Sequence, residues 1–140
     1  MERTFKIIYT SDTHGHIFPV NYAAGCGESS GLLNLAAQID KNGNTLVLDG
    51  GDSLQGTPLV QYPVAEAFNA MGCDYFTLGN HDFNFGYDAL HAYLCAMDGV
   101  CLCANVQDLG GALPLLPETV HTLKNGLRIG ITGIVTDYVN

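Results

Sequence analysis

Basic residues are scarce. Lys and Arg together number 5 against 14 Asp and Glu, a formal charge of −9. Without a basic stripe to neutralise a phosphate backbone, polymeric nucleic acid is excluded as a partner. Small anions would be repelled as well, unless a bound cation reversed the sign locally. Long apolar runs are also lacking: no stretch reaches the ~18 residues of a membrane span, so no membrane partner is expected. Charges stand at Glu2, Arg3 and Lys6, but the apolar run 5–9 is cut by Ser11-Asp12, too early for a signal peptide. The five cysteines (Cys26, Cys73, Cys95, Cys101 and Cys103) are odd in number and lack the spacing of a disulfide framework. Cys101 and Cys103 fall on one face of a strand and are expected as buried thiols, with a zinc or redox role as the alternative. A reducing, cytoplasmic home follows as the expectation, or a periplasmic or extracellular one if an export signal has been removed. Internal repeats and low-complexity tracts are absent from the sequence.

What is present is enough apolar material for a core: 47% of 140 residues, the size of one domain. Short β-prone runs alternate with helical stripes. The runs Phe5 to Tyr9, Thr45 to Leu48, Tyr75 to Leu78 and Val100 to Ala104 read as buried strands. Between them, residues 12–28 read as a loop. Leu32 to Ile39, Val60 to Met71 (with Pro63 in its first turns) and Tyr87 to Met97 read as helices. From Gly110 onward the pattern changes to a hairpin, Val120 to Leu123 and Leu127 to Val135 around Lys124-Asn125-Gly126. This alternation predicts a layered α/β domain with a mostly parallel sheet, flanking helices and a C-terminal β-hairpin. In such sheets ligands sit outside the carboxyl ends of the strands.

Metal-capable residues fall at those ends. Asp12 and His14 flank Thr13, and an extended chain would turn both to one side. Asp52 follows the second strand in the turn Gly50-Gly51-Asp52, where missing side chains ease backbone approach to an ion. Asn80 and His81 follow the third strand behind Gly79. Carboxylate, imidazole and amide oxygen suit divalent Mn, Zn, Fe or Co, and a bridging carboxylate could hold two such ions about 3.5–4 Å apart. Alone, each fragment reads as loop polarity, a turn or, for Asp82, a helix cap. Together and in order they point to a site, because a tetrapeptide such as GNHD arises by chance in roughly one chain of this length per thousand or more.

The phrases DTHGH (Asp12 to His16), GGDSLQG (Gly50 to Gly56) and LGNHDFNFG (Leu78 to Gly86), with RIGITGIVTD (Arg128 to Asp137), resemble the calcineurin-like metallophosphoesterases. The second and third are similar to the group of 5'-nucleotidases and 2',3'-cyclic-nucleotide phosphodiesterases. The resemblance implies a layered metallophosphoesterase-type sandwich of which the chain is the N-terminal portion, residues 1–140. The rest of the catalytic domain and a nucleotide-specificity domain would lie beyond it. It implies Asp12 and His14 on a first metal, Asp52 bridging two divalent ions, and Asn80 on the second. His81 would be the catalytic group beside the phosphoryl. Asn84 stands where many relatives carry an aspartate that orients that histidine, and its amide oxygen could accept the ring proton.

The implied reaction is metal-dependent hydrolysis of a small phosphate ester, foremost nucleoside 5'-monophosphates, by in-line attack of a metal-activated water. Hydrolysis of 2',3'-cyclic nucleotides or 3'-nucleotides is the nearest alternative, and a non-catalytic metal-binding or interaction module the more distant one. Family members bring further histidines downstream, a context that His16, His91 and His121 do not supply. Weak metal binding and little activity are therefore expected of these 140 residues alone. His16 is expected to be structural or to line the site; His91 and His121 are expected to be surface or packing residues.

Overall fold

A computed structural model of the protein describes residues 2–21, 23, 25–27, 29–55 and 64–137. The elements run β1 (Lys6–Thr10), β2 (Val20–Asn21), β3 (Cys26–Gly27), α1 (Leu32–Ala36), β4 (Thr45–Asp49), α2 (Val64–Met71) and β5 (Tyr75–Phe76). A 3₁₀ turn (Asn80–Phe83) follows, then α3 (Tyr87–Ala96), β6 (Val100–Leu102), β7 (Leu115–Leu116), β8 (Glu118–Thr122) and β9 (Arg128–Thr132). Residues 60–63 of the expected second helix, with Pro63, and Gly56 lie outside the described residues. Among the described residues, no helix is long and apolar enough to cross a membrane.

Five strands form one parallel sheet in the order β1-β4-β5-β6-β7. Strand order follows chain order, so successive crossovers lay the helices on one face, as a consistent crossover hand requires. On that face Val47 and Phe76 meet Phe68 and Met71 of α2 and Leu90, Tyr93 and Leu94 of α3, all buried. Burying each such side chain contributes about 1.5–3 kcal/mol. Cys73, Cys101 and Cys103 are buried thiols, whereas Cys26 and Cys95 are exposed, and none is in a disulfide.

The opposite face is covered by the antiparallel hairpin β8–β9. There Tyr9, Leu48, Tyr75 and Leu102 face residues 131–134 across a cavity of about 190 Å³. The Tyr75 hydroxyl lies 3.0 Å from His121 Nδ1, tying β5 to the hairpin. Gly126, at φ 81°, closes the three-residue turn with bonds joining Leu123 to Gly126 and Leu127.

Several expected elements are shorter in the structure, and three short strands were not expected. Helix α1 ends at Ala36 rather than Ile39, because its final amides bend into single-turn bonds: Gln38 N–H donates to Leu35 O and Ile39 N–H to Ala36 O. Strand β5 pairs only through Tyr75 and Phe76, after which the chain turns to deliver residues 79–82. A small ribbon, β2–β3, lies inside the segment read as loop. Strand β7, two residues beside β6, adds a fifth strand to the sheet.

Four polar residues are buried among those described: Thr45, Asp49, Ser53 and Asp82. Asp49, at the end of β4, is 4% exposed. Its carboxylate accepts from Thr10 Oγ1 at 2.6 Å, Gly51 N–H at 2.9 Å and Ser53 Oγ at 3.1 Å. Burial pushes its pKa from an ordinary 3.8 to about 6 against the pull of these donors. Between those values the folded protein holds a proton that the unfolded chain has released. Asp49 therefore makes stability fall as pH rises from about 4 to about 6, by roughly 3 kcal/mol for two pKa units. In Asp49→Asn the new amide can donate to Thr10 while its oxygen keeps the other two bonds. Thermal unfolding of that variant should lose most of this fall and match or exceed the wild type at pH 7. A variant melting lower at pH 7, with the same pH slope, would overturn the assignment.

Candidate metal centre

Three loops at the carboxyl ends of β1, β4 and β5 converge. Beyond the strands, the β1–β4 ladder continues as Asp12 N–H to Gly51 O (2.9 Å), His14 N–H to Asp52 O (3.0 Å) and Gly15 N–H to Ser53 O (3.0 Å). These bonds fix the first two loops against each other. The backbone along them is not extended, as the sequence reading supposed. Asp12 (φ 54°), His14 (φ 47°) and Asp52 (φ 58°) all adopt the left-handed conformation, and they are the only non-glycine residues to do so among those described. Such backbone costs on the order of 1–2 kcal/mol for a side-chain-bearing residue, so three together mark a place where geometry is set by something other than local preference.

The reward is convergence. One donor atom from each of Asp12, His14 and Asp52 lies within 4.8 Å of the other two. Asp12 is exposed and accepts from Ser11 Oγ, whereas His14 and Asp52 are half-buried. His14 Nδ1 sits 2.5 Å from the carbonyl oxygen of Gln55. A carbonyl only accepts, so the proton resides on Nδ1 and the Nε2 lone pair is free to coordinate. Two carboxylates and an oriented imidazole fit a divalent transition ion by donor chemistry.

The third loop reaches this cluster through its backbone. His81 N–H donates to Asp52 Oδ1 at 2.9 Å. Glycine makes the approach possible. A Cβ on Gly51 would stand 2.3 Å from the Gly79 nitrogen, and one on Gly79 would stand 2.0 Å from Asp52 Oδ1. Asn80, half-buried, opens the 3₁₀ turn between Gly79 and His81. The His81 and His14 rings meet edge-on, their centroids 5.4 Å apart.

Two residues outside the expected ligand set hold this arrangement. Asp82, 1% exposed, accepts four backbone amides at 2.9 Å each: Asp52 and Gly79 on Oδ2, Ser53 and Leu54 on Oδ1. It staples the loop after β4 to the loop after β5. Burial pushes its carboxyl above the usual range, while those four donors pull the other way. Gln55 is the second. Its Oε1 accepts from His81 Nδ1 at 2.9 Å and also from Asn84 Nδ2. The Asn84 amide nitrogen, rather than its oxygen, lies toward His81 Nδ1, at 3.1 Å. The acceptor position facing the ring proton belongs to Gln55. Its place in GDSLQ, three residues past Asp52, was the available signal.

A cleft of about 590 Å³ opens beside Asp12 and His14, lined also by His16, Ser30, Asn34 and Gln38. His121 lies on the hairpin, away from this cluster.

This arrangement of a parallel sheet with acidic and imidazole donors at its strand ends is that of a metal-dependent phosphoesterase fold. The family model described as calcineurin-like phosphoesterase matches residues 5–136, and the chain belongs to that family. It is 31% identical to the trifunctional nucleotide phosphoesterase protein YfkN of Bacillus subtilis, over 93% of this chain and 11% of that protein. It is also 31% identical to the 2',3'-cyclic-nucleotide 2'-phosphodiesterase/3'-nucleotidase of Salmonella typhimurium, over 93% of this chain and 24% of that protein. A solved structure of a putative 5'-nucleotidase from Staphylococcus aureus superposes with a TM-score of 0.78 at 29% identity, over 94% of this chain and 28% of that one. The chain thus spans about a quarter or less of the curated relatives' length.

Proposed function

We propose that the whole protein hydrolyses small phosphate esters, foremost nucleoside 5'-monophosphates, and that residues 1–140 are the N-terminal portion of its catalytic domain. The observation that carries this reading is the convergence of Asp12, His14 and Asp52 donors within 4.8 Å beside the His81 ring. In the proposed centre Asp12, His14 and Asp52 would hold one divalent ion, and Asp52 with Asn80 would hold a second. Such ions, when bound, lower the pKa of water and offset phosphate charge that a protein of net charge −9 would otherwise repel.

The chain's own residues supply the rest. With its Nδ1 proton given to Gln55 Oε1, His81 keeps Nε2 as the ring nitrogen that can act on a substrate. The protonated ring can then donate from Nε2 to a phosphoryl or leaving oxygen as charge develops there. Asn84 steadies Gln55 by donating to the same Oε1, and so acts on His81 through Gln55. Hydrolysis bonds a water oxygen to phosphorus, breaks the ester P–O bond and returns a proton to the leaving oxygen. A second reading, hydrolysis of 2',3'-cyclic nucleotides, draws support from the 31% identity to the Salmonella enzyme.

His81→Ala separates these roles. The amide that donates to Asp52 is backbone and survives the substitution. Metal content should therefore stay near wild type, while the turnover number falls by about 10²–10³, the usual effect of losing a transition-state donor. The assay compares a nucleoside 5'-monophosphate, a 3'-monophosphate and a 2',3'-cyclic nucleotide, with and without chelator. Activity insensitive to chelator would sink the metal-dependent reading, and preference for the cyclic substrate would favour the second.

A further inference from the structure

Away from the strand-end cluster, helix α3 carries a histidine and a cysteine four residues apart. His91 is half-buried and Cys95 is exposed, and the Cys95 Sγ lies 3.6 Å from His91 Nε2. Residues at this spacing stand on one helix face, one turn apart. A tetrahedral zinc ion about 2.3 Å from sulfur and about 2.0–2.1 Å from nitrogen requires those two ligand atoms to be about 3.6 Å apart. The pair already has the separation that chelation demands. We propose that His91 and Cys95 form a second, surface site for a borderline-soft divalent cation such as zinc or cadmium, independent of the proposed phosphoesterase centre.

Three features favour a cation there. Thiolate and imidazole together select zinc and its congeners over the hard ions that carboxylates hold. Cys95 sits in the last turn of α3, one residue before Ala96, where unsatisfied carbonyls give the helix end partial negative charge. The whole chain, at −9, adds a long-range attraction for cations. The buried thiols are poorer ligands by contrast. Burial raises the Cys73 thiol to about 12 and pushes Cys101 higher still, so their thiolates are costly to form. Two protein ligands leave two tetrahedral positions for water, so affinity is moderate and exchange rapid.

Cadmium titration tests the site, because thiolate-to-cadmium charge transfer absorbs in the ultraviolet whereas the oxygen and nitrogen donors of the strand-end cluster are silent there. The wild type should show a band that saturates at one ion per chain and is reversed by excess zinc. Cys95→Ser should abolish it, and His91→Ala should weaken binding by about tenfold or more, as loss of one of two ligands requires. Cys26→Ser, which removes the other exposed thiol, should leave the band unchanged. A band that persists in Cys95→Ser, that disappears in Cys26→Ser, or that keeps wild-type affinity in His91→Ala would overturn the proposal.

Discussion

Asp52→Asn in the whole protein should abolish most hydrolysis and empty both proposed metal sites together. Removing a residue that merely orients a metal ligand costs about 10–100-fold in affinity or activity, and removing the ligand that joins two ions should exceed that. The substitution is well suited to isolate charge. Asparagine is among the few residues that accept the left-handed backbone found at Asp52, φ 58°. Its amide oxygen can also keep the bond from His81 N–H, so the loops should hold their places. The expected result is a variant with wild-type unfolding temperature, less than half the wild-type metal by elemental analysis, and activity down by more than about 100-fold. Full metal occupancy in this variant would remove Asp52 from the bridging position, whatever happened to the rate.

The contrast between Asp52 and its neighbours explains what the sequence could and could not disclose. Parallel strands buried on the helical face announce themselves as apolar runs such as TLVL, and β4 fell where that run stands. The set of candidate metal donors was legible because its members follow strand ends, Asp52 and Asn80 directly after a glycine. The way its members meet was not. Two residues spaced by one suggest an extended chain, but Asp12 and His14 converge through left-handed backbone, stabilised by cross-loop bonds that form only once β1 and β4 pair. Gln55 and Asp82 escaped for a related reason. A glutamine in a polar loop looks like surface chemistry and an aspartate before a helix looks like a cap, and their importance comes from partners 26–30 residues away. Strand β7 is two residues long, below any periodic signal, and exists because β6 offers it an edge. His91 reads as a surface or packing residue and Cys95 only as one of five unpaired cysteines, and it is the separation between their side chains that gives them a joint chemistry.

Asp82→Ala is expected to produce the largest loss of stability of any substitution at the site. It removes one buried carboxylate and leaves the amides of Asp52, Ser53, Leu54 and Gly79 without their acceptor. An unsatisfied buried donor costs about 1–3 kcal/mol, and local relaxation with water entry recovers part of that. A net loss of about 3–5 kcal/mol is expected, in the range seen when a buried charge loses its partners. Asp82→Asn should be nearly as damaging despite its shape. The two amides on each carboxylate oxygen need acceptors on both sides, and the asparagine NH₂ would face two of them as a fellow donor. Both variants should also bind metal poorly, because the loops carrying Asp52 and His81 are no longer stapled. That combination sets Asp82 apart from Asp52, where metal is lost and stability kept. Urea unfolding of the two Asp82 variants, followed by metal analysis of the folded fraction, makes the comparison. Asp82→Asn unfolding within about 1 kcal/mol of wild type would show that fewer than four amides depend on this carboxylate.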